Sequence, residues 1–286
     1  MNRLSKFMMA CFMAAIMMMT VGCQKEDIAP IIPDGALPGL FSVSATHQVY
    51  FSQGNLQYQA STNTWRFAEH QYDYVGTQTA DDYGYYGGNV SGSDNRNISS
   101  TYSGWIDLFG WGTGDNPTLT SGDGADYSTF VDWGSNPISN GGNTTNIWRT
   151  LTNDEWYYLL HIRTDAASKC GTGNINGVGG LIILPDNWTQ PSECAFTSGF
   201  ALDWTLNSYT LAQWEQMEDA GAVFLPAAGE RSGAYVIYAG RFGIYWSSSS
   251  NDESRAFRMG FSSDINDLGN PFNSRTVGYS VRLVQY

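Results

Sequence analysis

Apolar residues recur at every second position in short runs toward both ends of the chain. Near the C-terminus, Ile244–Ser247 carries aromatics and a β-branched residue. Ala256–Phe261 sets Phe257, Met259 and Phe261 against Arg258 and Gly260, and Tyr279–Val284 sets Tyr279, Val281 and Leu283 against Ser280 and Arg282. Period two in short runs bounded by Gly, Asn, Ser and Asp predicts half-buried strands. Phe41–Phe51 alternates in the same way. Gln53-Gly54-Asn55 then offers a turn before Leu56–Tyr58 and Thr64–Ala68, which predicts an opening β-meander.

The period changes in the middle of the chain. Thr152-Asn153-Asp154-Glu155 is a capping box followed by Trp156, Leu159, Leu160 and Arg163 at helical spacing, which predicts a helix over 153–168. A strand is expected at Gly180–Pro185. A second helix is expected at 211–220, capped by Thr210, with Leu211, Trp214 and Met217 inward and Gly221 as its stop, before a strand at Val223–Pro226. Residues 76–148 hold no period. They carry Gly-Trp-Gly-Thr-Gly and Gly-Asp-Gly-Ala-Asp runs with Trp105, Trp111, Trp133 and Trp148 scattered among Asn and Asp. A structureless stretch of that length is foreign to a compact domain, so the tryptophans are expected to fold it onto the core. Two helices among many short strands give an α+β domain.

Composition adds an address. Residues 1–23 begin with Arg3 and Lys6, continue through a 15-residue apolar run at Phe7–Val21, and hold seven of the nine methionines. That run is shorter than the ~20 residues of a comfortable membrane span, so it reads as an export signal. Thr20-Val21-Gly22-Cys23 resembles a bacterial lipobox with Thr in place of its usual first Leu, which makes Cys23 the acylated anchor. Gln24-Lys25-Glu26-Asp27 resembles the export tag of surface lipoproteins in Bacteroidales-type bacteria. Residues 24–40, with Pro30, Pro33 and Pro38, read as a flexible linker, and 41–286 as the domain. The net charge of -13 becomes -15 once Arg3 and Lys6 leave with the signal. So acidic a surface argues against nucleic acid.

Tyr245-Trp246-Ser247-Ser248, the Ala256–Phe261 strand and the closing Gly278–Val284 strand resemble the C-terminal third of the formylglycine-generating-enzyme branch of the C-type-lectin fold. Leu151–Arg163 resembles the first helix of that family, in the expected order. The resemblance implies a C-type-lectin-like α+β fold with two helices, short antiparallel sheets and long irregular loops. Its first and last strands, Phe41–Ala45 and Tyr279–Val284, would pair. It also implies an oxidase that holds copper on a cysteine pair in its last strands. Residues 223–286 contain no Cys, and Ser247–Ser250 stand there instead. A neutral hydroxyl does not replace a thiolate as a soft ligand, so the resemblance carries architecture without that chemistry.

The remaining chemistry is sparse. His47, His70 and His161 are isolated in sequence, and no nucleophile elbow or phosphate-binding Gly motif occurs. The lectin calcium site would need an acid beside its proline and a Trp-Asn-Asp strand; Gln190-Pro191-Ser192 lacks the acid and the tripeptide is missing. Asp115, Asp123, Asp126 and Asp132 offer hard oxygens near Gly-rich turns, as a calcium loop or as a hydrated acidic loop. No other cofactor is expected. Cys170 and Cys194, the two thiols of the mature domain, form a disulfide or stand as separate buried thiols; the exported context favours the disulfide. Trp111, Tyr127 and Trp133, with Asp126 and Asp132 beside them, are the ligand-binding candidates, as exposed rings that stack on a sugar or a partner side chain. Otherwise they fill the core. The expectation is a non-catalytic lipoprotein of the outer membrane, surface-exposed, whose domain binds a glycan or a protein. The alternatives are an enzyme with an unrecognised carboxylate or metal site, or a structural part of a surface assembly.

Overall fold

The computed structural model describes residues 31–75, 95, 98–120, 127–233, 235–262 and 271–286. The leader and Cys23 lie outside them. Ile32–Tyr286 forms one compact unit, with fifteen short strands and two α-helices among the described residues. It is an α+β domain. No helix among the described residues is long and apolar enough to cross a membrane.

A sheet of order β1-β2-β15-β5 joins the two ends of the domain, from β1 (Phe41–Ser42), β2 (Gln48–Phe51), β15 (Leu283–Gln285) and β5 (Arg149–Thr150). The C-terminal strand pairs with β2, Val284 facing Phe51, and β1 is one strand further out. The expected pairing of Phe41–Ala45 with Tyr279–Val284 is therefore displaced by one strand. The reason is local: Val43 N donates to His47 O, so the chain folds back as a hairpin and its second arm takes the inner place.

The linker assignment also shifts. Leu37 is buried in the main core, Leu37 N donates to Phe51 O, and Ala36 bridges Ser52. The packed chain thus begins near Pro33 rather than at Phe41. The prolines and glycines of that segment disfavour both helix and sheet, yet at Ala36 and Leu37 the extended chain lies along a sheet edge.

Two hairpins form separately: β3 (Leu56–Gln59) with β4 (Thr64–Phe67), and β10 (Glu230–Ser232) with β11 (Tyr235–Ile237). A second four-stranded sheet, β8-β6-β7-β9, is built from β6 (Cys170–Ile175), β7 (Val178–Ile183), β8 (Ser208–Tyr209) and β9 (Val223–Pro226). Both of its faces are covered. Leu181, Ile183, Val223 and Leu225 enter the main core with Phe41, Phe51 and Trp156, while Ile182, Leu184 and Phe224 pack under the second helix. That explains why Leu181–Leu184 is an unbroken apolar run. A three-stranded sheet of β12 (Phe242–Ser250), β13 (Arg255–Ser262) and β14 (Phe272–Ser274) completes the set.

The first helix, α1, is Asn153–Tyr157, with both halves of the Thr152/Glu155 capping box formed. It widens into one π turn at Tyr158–Ile162 and ends there, short of the expected 168. Arg163 leaves helical geometry because its buried guanidinium binds Leu159 O, Leu184 O and Asp186 at 2.8, 2.8 and 3.0 Å. The second helix, α2 (Leu211–Asp219), keeps its Thr210 cap, and Gly221 follows at φ +93°. Trp214 and Met217 are buried as expected; Leu211 faces solvent.

Candidate functional site

The Gly110-Trp111-Gly112-Thr113-Gly114 run lies against the returning segment 127–132. Gly114 N donates to Val131 O and Val131 N to Gly112 O, and Thr113 bridges Val131 in parallel. The glycines permit this approach. A methyl on Gly110 would sit 2.5 Å from the Tyr127 ring, and Gly112, at φ +68°, has the Phe130 Cα at 2.8 Å from the same position. The motif therefore brings two loop segments together side by side.

Between them opens a cavity of about 350 Å³ lined by Trp111, Thr113, Asp115, Asn116, Leu119, Tyr127, Thr129 and Val131. Trp111 and Tyr127 form its buried wall, while Asp115, Asn116 and Thr129 are exposed at its rim. The Trp111 indole N–H donates to Ser247 O at 2.9 Å, and its main-chain N–H to Arg275 O at 2.8 Å. Its ring is covered by Phe130, centroid to centroid 4.9 Å, and by the Arg275 guanidinium 4.3 Å from its centre. Trp111 therefore shapes the wall and has no broad face left open for stacking.

Arg275 is the fastener of this region. It is buried and donates to the carbonyls of Tyr127, Ser128, Arg255 and Asp252 and to Ser250 Oγ. A planar fork of five N–H donors suits a loop region whose carbonyls lack a ladder. Sequence reasoning missed this residue. Its signal was that it is the single basic residue in the polar stretch 262–276 of an acidic chain.

The structure divides the ligand-binding candidates. Trp111 and Tyr127 come together. Trp133 is fully buried behind Phe130 and packs on Phe109, so it belongs to the core. Asp132 turns away from the cavity: its carboxylate accepts from Gly134 N, Thr150 N and Thr150 Oγ1 at 3.1, 2.9 and 3.0 Å. The reading of exposed, stackable rings is thus corrected for all three aromatics, which are buried at 8% exposure or less. Asp123 and Asp126 lie outside the described residues. Among the described residues, no group of three or more His, Cys, Asp or Glu is placed to hold a metal ion.

The expected disulfide is not formed; Cys170 and Cys194 are both free and buried. Cys170 pairs with Ile183 on the face of its sheet that looks into the main core. Cys194 packs with Trp214 and Met217 on the opposite face. The sheet itself separates them. Burial pushes the Cys170 thiol up to about 11, against the opposing pull of Arg163, so it is no nucleophile at neutral pH.

Other titratable groups are engaged structurally. His47, His70 and His161 are exposed, and His70 pairs with Asp73 at 3.1 Å and stacks on Tyr72. A second depression of about 330 Å³ holds Arg163, Lys169 and Asp186, yet the Asp186 carboxylate already accepts from Ser42 N, Ser42 Oγ, Gln48 and Arg163. Glu230 stands apart. Burial raises its pKa, opposed by the Tyr279 hydroxyl and the Arg258 charge. Its partners come from distant strands, so no local pattern announces it. No protein-family model, no curated protein and no solved structure matches this chain.

Proposed function

We propose that this chain is a non-catalytic lipoprotein of the cell envelope, held at the outer membrane by acyl chains on Cys23, whose C-type-lectin-like domain binds a glycan or protein segment in the Trp111–Tyr127 cavity. The observation that carries the reading is that cavity: two aromatic walls and two apolar ones, Leu119 and Val131, under a rim of carboxylate, amide and hydroxyl groups. Its volume falls at the small end of ligand sites, suited to one or two sugar rings or a short loop. With the Trp111 faces covered, recognition falls to rim hydrogen bonds from Asp115, Asn116 and Thr129 over an apolar floor. The lectin-like architecture is supported by the N- and C-terminal strands sharing one sheet, by two helices, and by irregular segments at 98–120 and 127–148 packed on tryptophans.

The absence of catalysis is supported where the family's cysteines would act. Ser247 is buried on β12 and donates its hydroxyl to Phe257 O at 2.9 Å, a strand-to-strand fastening. One observation favours an enzyme instead, the raised Glu230 beside Tyr279 and Arg258. The test is a glycan and protein array with the chain from Gln24 onward, with and without a calcium chelator. Expected is a ligand whose binding falls at least fivefold in Asp115→Ala and in Thr129→Ala and persists in Glu230→Gln. Binding indifferent to both rim changes, or an empty array, rejects the cavity as the binding site.

A further inference from the structure

We propose that the pole of the domain where its chain enters, formed by Ile32–Gly35 and the turn 140–147, rests on the surface of a lipid bilayer. The inference rests on the anchoring of Cys23 proposed above and adds which face of the domain meets the lipid.

The tether sets the geometry. Only residues 24–31 stand between Cys23 and the first residue of the compact unit, Ile32. Such a segment spans about 15 Å as a coil and at most about 30 Å fully extended. A compact domain of this length has a radius of gyration of about 18 Å, hence a diameter of about 46 Å. The tether is shorter than the domain is wide. The domain therefore cannot turn its far side to the membrane, and the entry pole stays next to the lipid.

What stands at that pole fits the neighbour. Gly35, at φ +76°, lies so close to the turn that a methyl there would meet Asn140 O at 2.5 Å and Gly141 Cα at 2.7 Å. The same construction at Gly142 reaches Ile147 Cδ1 at 3.2 Å and Asp34 Cβ at 3.8 Å. The entering chain and the turn are thus one surface. The turn is fastened from within, Asn143 N to Ile138 O and Asn146 N to Gly134 O, and residues 142–147 are all exposed. Ile32 and Ile147 project there at 44% and 38% exposure. Residues 133–148 contain no charged side chain in a chain of net charge -13, and Asp34 is the one charge of 32–40. A surface of amides, hydroxyls and two isoleucines suits the interfacial region of a bilayer, whereas the acidic remainder is repelled by anionic headgroups.

The test uses the full acylated chain in vesicles of phosphatidylethanolamine and phosphatidylcholine. Thr145→Cys and Ser232→Cys are labelled separately with a fluorophore; the buried Cys170 and Cys194 stay unlabelled. Position 232 lies on the β10–β11 hairpin, which packs on Leu108 and Gly278. With nitroxide-headgroup lipid in the vesicles, the label at 145 is expected to be quenched at least threefold more than the label at 232. The Ile32→Asn, Ile147→Asn double variant is expected to halve that quenching. Equal quenching at 145 and 232 in acylated protein overturns the proposed pole and leaves the anchor standing. Wild-type protein that takes up no acyl label, or label that survives Cys23→Ala, overturns both.

Discussion

Arg282 and Glu218 are joined through a single amide: Arg282 Nη2 donates to Gln71 Oε1 at 2.7 Å, and Gln71 Nε2 donates to Glu218 Oε2 at 2.9 Å. Arg282 is 1% exposed, and burial lowers its pKa to about 10 despite the opposing pull of Tyr245 and Glu218. Gln71 also accepts from Phe224 N and donates to Ala222 O, so one side chain ties the opening hairpin region, α2, β9 and the closing strand together. Removing it takes the short hydrogen bond from a buried cation and leaves it the long one to Asn55 Oδ1, at 3.5 Å.

Gln71→Leu is therefore expected to destabilise the domain by about 3 kcal/mol or more. Glu218→Gln, which keeps an acceptor on a half-exposed side chain, is expected to lose about 1 kcal/mol at most. Urea denaturation of both variants checks this. Equal losses would mean that the relay does not carry the charge.

Stability should also report two carboxylates. Burial works to raise the pKa of Asp186, but Ser42, Gln48 and Arg163 outweigh it and hold the carboxyl below its ordinary range. Burial at Glu155 is outweighed in the same way by Arg149 and Thr152. A depressed folded pKa stabilises the fold above the unfolded value, near 4, and that contribution is lost as pH falls through the folded value. Tm is expected to drop between about pH 5 and pH 3. Asp186→Asn and Glu155→Gln should lower Tm at neutral pH and flatten that drop. Curves parallel to wild type would reject the assignment.

Free thiols give a chemical prediction. In the chain from Gln24 onward, reductant should leave Tm unchanged. A thiol reagent should find no reactive group in the native protein and two in denaturant, matching Cys170 and Cys194. Fewer than two in unreduced, denatured protein would show a bridge.

The aromatic and acidic residues of the loop region should sort by burial. Trp133→Ala is expected to cost about 3–5 kcal/mol, and Asp132→Ala about 1–2 kcal/mol through Gly134 and Thr150. Asp115→Ala and Thr129→Ala, on the exposed rim, should stay within about 0.5 kcal/mol of wild type. Thermal unfolding of the four variants separates scaffold from rim. A large loss at Asp115 would place it in the scaffold.

Both helix starts and several strands were legible because their causes are local, whereas the expected half-buried strand Tyr279–Val284 is regular only at Leu283–Gln285 and its Ser280 and Arg282 are buried. The Thr152 and Thr210 boxes need only four consecutive residues, and the alternation of Ala256–Phe261 needs only neighbours in one strand. The end of α1 was not legible, since Arg163 leaves the helix for Leu184 O and Asp186 on another segment. The cavity was half legible. Trp111 and Tyr127 stood out as aromatics, but whether an aromatic lines a cavity or fills a core depends on what packs on its faces. For Trp111 those are Phe130 and Arg275.

By itself, then, the sequence determined where both helices begin, where strands such as Leu56–Gln59, Val223–Pro226 and Arg255–Ser262 lie, that the domain mixes both, and that residues 76–148 carry no helical or strand period. Only the tertiary structure decided that Cys170 and Cys194 lie on opposite faces of one sheet, that the last strand pairs with β2 rather than β1, and that Asp132 serves Thr150. The physical reason is distance along the chain. Capping and alternation are set by residues a few positions apart, whereas a buried guanidinium or thiol takes its partners from wherever the fold brings carbonyls and sheet faces together.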